Sequence, residues 1–371
     1  MSRTNPERCI YRVSDTMRDV KPEAYRPRMA LIGLRNRSAN PGVAKDGAGT
    51  SNDPGLTNQT KRKYVKVETH KKIYLDSFTQ RVGPKAIKKM KKIIEAEEQN
   101  IRGSYAESTD WVSPESFVDH ILEDSIFIME FIIRLRKKSH DDLITGSAKN
   151  TADVKHDLIL LENQLPYFIF DQLFGSYTER LDIEGTVEQF ILKFFSLERT
   201  KKTNFRHFTD MFRCVYEESL EITPTLNDLS AEAIVKMENA DSLSLVGVKF
   251  KTFSQMENSE RDRSHHGTEQ PLESIYIRKE TDDDYSLRVV FDRDCLVMSC
   301  FRAAEDSETI LRNVIAFEQC HADVKPFTSN YINFLNFLIT TKKDVKVLTA
   351  EGTYMRYHKI DQLIHYIYLL D

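Results

Sequence analysis

The sequence has no run of about eighteen uninterrupted apolar residues, so no transmembrane helix is expected. Its nearest approach, Ile126 to Ile133, is short and carries Glu130. No apolar core follows the first residues, Met1-Ser-Arg-Thr-Asn-Pro-Glu-Arg8, so no export signal is expected either. Cysteine is sparse. Cys9, Cys214, Cys295, Cys300 and Cys320 are odd in number and widely spaced, which suits free thiols in a reducing compartment better than a disulfide scaffold. A cytoplasmic location follows for the chain as it stands. The sequons at Asn36 and Asn58 lack an export signal to make use of them. Nucleotide and hydrolase signatures are missing as well: there is no Gly-x-Gly-x-x-Gly, no Gly-Lys-Ser/Thr loop and no Gly-x-Ser-x-Gly.

What is present is a globular composition, 40% hydrophobic and 30% charged, in 371 residues that can bury a large core. The net charge of −4 hides an asymmetry. Residues 1–102 hold 23 Lys/Arg against 11 Asp/Glu, and residues 103–371 hold 30 against 46. The basic part can pair with the acidic part inside the fold, or meet an anionic partner or membrane surface. The basic residues lie mostly on helices with an apolar face, which favours the internal reading with an ordinary solvated side.

Residues 1–35 read as an ordered entry segment in which Pro22 and Pro27 oppose a long helix. Residues 36–60, rich in Asn, Gly, Ser and Pro, read as a flexible loop. From 61 to 242 helices dominate. Tyr64, Val67, Tyr74 and Phe78 mark one that ends before Gly83-Pro84; Ile87, Met90, Ile94 and Ile101 mark the next, with a lysine-rich opposite side. Ser113-Pro114-Glu115 starts a third, apolar on most sides and therefore central. A helix carrying Glu162 is expected to break near Pro166, and the next to stop at Gly175. Val187–Phe195 and Phe208–Leu220 supply two more, and another is expected from Ser230.

In 243–371 the character changes. Val246–Phe250, Ser274–Arg278, Ser286–Phe291 and Cys295–Met298 read as strands, with Asp292-Arg-Asp294 as a hairpin turn. Residues 254–271 form a polar loop. Helices return at Ser307–Cys320, Thr328–Thr341, Lys343–Glu351 and Asp361–Leu370. The expected fold class is therefore α+β, mostly α-helical, a helical bundle with a small antiparallel sheet packed on it late in the chain, forming one compact domain overall.

The most informative stretch is Asp157-Leu-Ile-Leu-Leu-Glu162-Asn163-Gln164-Leu165-Pro166-Tyr167-Phe168, which sets an acid and two carboxamides among apolar residues. Such groups are costly unless each finds a partner. Glu130, Glu162 and Glu318 each fall in an apolar helical run beside Phe or Met. The plainer expectation is a polar network that ties three helices together, Asn163 and Gln164 supplying donors, with Gln319 beside Glu318. The alternative is carboxylate acid–base chemistry. No nucleophile, phosphate loop or metal set accompanies them. Asn163-Gln164-Leu165-Pro166 reads as a helix stop whose carboxamides satisfy backbone groups freed around the proline; a kink that binds peptide is the other possibility. His265-His266, Cys295, Cys300 and Cys320-His321 could form a mixed metal site only if the polar loop folded back on the sheet, and core cysteines are the simpler account. The lysines of 85–92 lack interleaved aromatics, so nucleic-acid binding is not expected.

Taken together, these residues resemble the plant family called domain of unknown function 247. Leu161 to Phe168 is similar to its most specific motif. Ala24-Tyr25-Arg-Pro27 with Ile32-Gly33 resembles its N-terminal signature, and Asp124-Ser-Ile-Phe127-Ile-Met-Glu130 its Asp-x-x-Phe-x-x-Glu segment. Leu245 to Phe250, Asn313 to Cys320 and Lys343 to Gly352 are similar to later blocks. The resemblance implies no catalytic residue and no cofactor. It implies protein recognition by an unidentified protein partner; in grasses, members are associated with self-incompatibility loci and pollen–stigma recognition. Members usually continue into a C-terminal transmembrane helix, absent from this chain, which would place the protein at the plasma membrane or an endomembrane. A truncated copy with lost or regulatory function, or an enzyme using buried carboxylates, are the alternatives.

Overall fold

The computed structural model describes residues 8–37, 58–139, 142–197, 204–221, 237–253, 255, 287–299, 301–302, 306–350 and 354–355. The chain divides into two compact units, residues 1–197 with 204–211, and residues 198–203 with 212–371.

The first unit is helical. After α1 (Asp15–Val20) and a 3-10 turn (Pro22–Tyr25), residues up to Arg37 form no regular element, yet Met29, Ala30, Leu31, Ile32 and Leu34 are buried. The hairpin of α2 (Asn58–Val82) and α3 (Pro84–Gly103) turns at Gly83, whose φ of 88° favours glycine, and Pro84 opens the second helix. The apolar faces expected there are buried through Tyr64, Val67, Tyr74, Phe78, Met90, Ile94 and Ile101. Next, α4 (Pro114–Arg136) starts at Ser113, whose hydroxyl accepts from Ser116 N. Its run from Asp124 to Ile133 is wholly buried, which makes it the central helix.

Then come α5 (Ala148–Asp157), α6 (Phe168–Phe174), α7 (Thr178–Leu181) and α8 (Val187–Phe194), with the first residues of α9 (Phe208–Glu221). One expectation changes here. The helix before the carboxamide motif ends at Asp157, so Glu162 to Pro166 are irregular and Pro166 leads into α6 instead of breaking a helix. Gly175 does end α6 as its C-cap, as expected, but in a right-handed conformation (φ −56°) that passes the chain through a 3-10 turn into α7; the left-handed residue is Asp182 (φ 61°), after α7. A capping box at Thr186 and Gln189 fixes the start of α8.

In the second unit α10 (Ala240–Leu245) runs to Gly247 (φ 96°), and β1 (Lys249–Lys251), β2 (Val289–Asp292) and β3 (Cys295–Met298) form a sheet in the order β1-β3-β2. The hairpin at 292–294 is present, with Arg293 at φ 54°. The sheet is mixed, not antiparallel throughout. β2 and β3 are antiparallel, but β1 lies parallel to β3, because β1 returns to the sheet by a long connection and not a tight turn. A second pair, β4 (Phe301–Arg302) with β5 (Tyr354–Met355), is also parallel. Helices α11 (Ser307–Cys320), α12 (Phe327–Leu338) and α13 (Lys342–Ala350) follow the expected blocks. The fold is α+β and predominantly helical. The expected strand Ser274–Arg278, the helices from Ser230 and Asp361, His265-His266, Cys300, Gly352 and most of the two polar loops lie outside the described residues.

Candidate functional site

A buried stretch of chain without helix or strand must satisfy its amides and carbonyls some other way. Residues 27–33 do so with side chains drawn from three helices and the motif after α5. Asp157, the last residue of α5, is fully buried and accepts from three successive amides: Arg28 N at 2.6 Å, Met29 N at 2.7 Å and Ala30 N at 2.7 Å. An ionised carboxylate is acceptor-only, which matches a row of donors. Asn163 continues the pattern two ways at once. Its Oδ1 accepts from Ile32 N at 2.8 Å, and its Nδ2 donates to Ala30 O at 3.0 Å and to Asp157 O at 2.9 Å. Gly33 N donates to Asp124 Oδ2 on α4 at 2.8 Å, and Gly33 O accepts from Arg37 Nε at 3.1 Å. Lys71 on α2 donates to Leu31 O, and the Tyr64 hydroxyl to Pro27 O.

Gln164 works on the other side of the turn. Its Nε2 donates to Leu158 O and Leu160 O, both at 2.8 Å, and its Oε1 accepts from Phe208 N at 3.0 Å at the start of α9. Its own carbonyl accepts from the Tyr105 hydroxyl at 2.9 Å. The carboxamides therefore do satisfy backbone groups, as expected, though across a longer irregular turn. Tyr167 then packs its ring 4.0 Å from that of Phe205, beside Phe170 and Phe208.

Beneath Gly33 lies a buried charge cluster. Asp124 Oδ1 takes Arg37 Nη2 and Lys71 Nζ at 2.6 Å each, and Glu68 takes the same two cations at 2.9 and 2.6 Å. Burial resists ionisation of Glu68, but Lys71 and Arg37 outweigh it and hold the carboxyl well below its ordinary range. The buried Arg37 guanidinium stays charged for the converse reason.

The three glutamates do not form one network. Glu130 binds Arg81 and Arg134 at 2.8 Å each through Oε1, while its Oε2 is buried without a hydrogen-bond partner. Glu162 accepts from Val13 N at 2.8 Å and from Arg18 at 2.6 Å, holding the entry segment. In the second unit Glu318 accepts from Thr328 N, Ser329 N and Ser329 Oγ at 2.8–2.9 Å and so caps α12; burial nonetheless raises its carboxyl above the usual range. Asn163 and Gln164 donate to none of the three, and Gln319 is exposed. The donors are backbone amides and arginines close to each acid, which run spacing alone does not reveal.

A shallow, open cleft near Tyr105 is lined by Ile10, Arg12, Leu34, Arg35 and Trp111 among others, and no residue of 157–166 lines it. Among the described residues no group of three His, Cys, Asp or Glu is placed to hold a metal, and no helix is long and apolar enough to cross a membrane. Among the described residues Cys9, Cys214, Cys295 and Cys320 form no disulfide with one another.

Sequence reasoning passed over Lys71, Arg37 and Arg18. Lys71 left a signal: it shares the apolar face of Tyr64, Val67, Tyr74 and Phe78, where a solvated lysine has no place. The segments 24–33 and 161–168 are halves of one hydrogen-bonded unit.

The model for the plant protein family of unknown function DUF247 matches residues 10–363. The UPF0481 protein At3g47200 of Arabidopsis thaliana is 22% identical over an alignment of 366 residues that covers 94% of this chain and 69% of the relative. No solved structure matches the chain. The chain belongs to the plant protein family DUF247.

Proposed function

We propose that the protein is a non-enzymatic recognition protein whose signature motif is an internal clasp. One observation carries this reading: both polar atoms of Asn163 and of Gln164, and both oxygens of Asp157, are taken by partners inside the core. Side chains so engaged are committed to holding the backbone and are not presented to a substrate. Glu130, Glu162 and Glu318, the candidates for acid–base work, share no partner with one another.

Recognition falls to segments that can vary without disturbing the clasp. The polar sequences at 36–60 and 254–271 have that character, apart from Asn36 and Arg37, which bond into the clasp, since varying a loop on a rigid scaffold changes specificity at little structural cost. The partner is a protein, and pollen–stigma self-incompatibility is the setting to test first. The sparse, widely spaced cysteines support a reducing, cytoplasmic location for this chain. The test is affinity capture of the tagged chain from reproductive tissue, beside chimaeras that carry either segment from a related protein. Captured partners should change with the exchanged segment. Identical partner profiles, or a turnover activity abolished by Asn163→Ala in a still-folded protein, would overturn the reading.

A further inference from the structure

The cations of α2 and α3 fall into two groups. Lys63, Lys71, Arg81, Lys91 and Arg102 each hold a carboxylate. The rest are exposed and make no ion pair with a described residue: Lys61, Arg62, Lys66 and Lys72 on α2. On α3 they are Lys85, Lys88, Lys89 and Lys92, spaced i, i+3, i+4, i+7 and so aligned along one side of the helix. The exposed acids on these two stripes are Asp76 and Glu95. Between the α2 cations stand Val65 and Ile73, each 49% exposed and on the same arc.

We propose that this basic face docks on the surface of an anionic phospholipid bilayer. Charge complementarity calls for an anionic partner, and three details select the bilayer. Seven of the eight cations are lysine, a point charge on a flexible stem, suited to a diffuse layer of headgroups more than to bidentate contacts. A protein interface would be enriched in Arg and aromatics and depleted in Lys, the reverse of this face. A nucleic-acid backbone gives Val65 and Ile73 nothing apolar to meet, whereas the headgroup–acyl boundary accepts shallow aliphatic side chains. The contact is peripheral and independent of the clasp: its failure leaves the recognition reading untouched.

The test is co-sedimentation of the full chain with vesicles of phosphatidylcholine alone or with added phosphatidylserine. Binding should require phosphatidylserine and fade as salt screens the charges. Lys85→Gln, Lys88→Gln, Lys89→Gln and Lys92→Gln together should lower partitioning by at least about a hundredfold, at roughly fivefold per lysine near the surface. The corresponding Lys→Arg variant should restore it, and Val65→Ser with Ile73→Ser should weaken it with no change of charge. Trp111 fluorescence on heating confirms that each variant is folded. Equal sedimentation with both vesicle types, undiminished binding by the Lys→Gln variant, or retention on duplex DNA or polyglutamate in place of vesicles would overturn the proposal.

Discussion

Replacing Asn163 with alanine removes the side chain that touches both halves of the clasp. Three backbone groups lose this partner: Ile32 N, Ala30 O and Asp157 O. All three residues are buried, so water reaches the orphaned groups only by opening the turn. At about 1 to 3 kcal/mol for each buried group left unsatisfied, and with partial relaxation, the loss should be about 3 to 5 kcal/mol. That is a large share of the stability of an ordinary domain. Asn163→Asp should cost more than Asn163→Ala. It keeps an acceptor for Ile32 N but turns an oxygen toward Ala30 O and Asp157 O. The single tryptophan, Trp111, lies in the first unit, so its fluorescence during urea unfolding isolates the relevant transition. Loss of less than about 0.5 kcal/mol, the range of a neutral surface change, would refute the reasoning.

Three further outcomes follow from the same geometry. Gly33→Ala should lower the melting temperature sharply, because φ is 66° and a Cβ would fall inside contact distance of Gln164 O and 2.6 Å from the Tyr105 hydroxyl; unchanged calorimetric melting would count against the close approach. Lys71→Met should cost about 3 kcal/mol or more by leaving Leu31 O bare and Asp124 underpaired, read in the same urea assay. Asp344 gives a pH prediction. Burial works against its charge, but the amides of Asp241 and Thr341 and the Thr341 hydroxyl outweigh burial and lower its carboxyl below 3.8. Its contribution is therefore present above the unfolded value and lost as pH falls through the folded one. Asp344→Asn should destabilise at neutral pH and progressively less below about pH 4 in circular-dichroism melts; a pH-independent difference would contradict the assignment.

Much of the helical frame was legible because burial imposes period. The apolar faces of α2, α3 and α4, the start at Ser113-Pro114 and the blocks from Ser307 onward all rest on spacing and capping that act within a few residues. The sheet was legible in its strands and in the antiparallel hairpin at 292–294, but the parallel pairing of Lys249–Lys251 with Cys295–Val297 was not, because it depends on a long connection that local pattern does not encode. The clasp itself was half legible. Two carboxamides in an apolar setting announce that partners exist, but beside the local carbonyls of Asp157, Leu158 and Leu160 the partners lie more than a hundred residues away, at Ala30 and Ile32, or at Phe208. An apolar run also conceals where a helix ends. Residues 158–165 are as hydrophobic as a buried helix, and only the tertiary demand of residues 27–33 for acceptors and donors explains why they are irregular.

Hydrogen exchange resolved to single amides tests the clasp most directly. The amides of Met29, Ala30, Ile32 and Gly33 lie in a segment with no helix or strand, where exchange is ordinarily fast, yet all donate to buried side chains. They should exchange as slowly as the middle of α4 in the native chain, and Asn163→Ala should release Ile32. Fast exchange of these four amides while α4 stays protected would contradict the account.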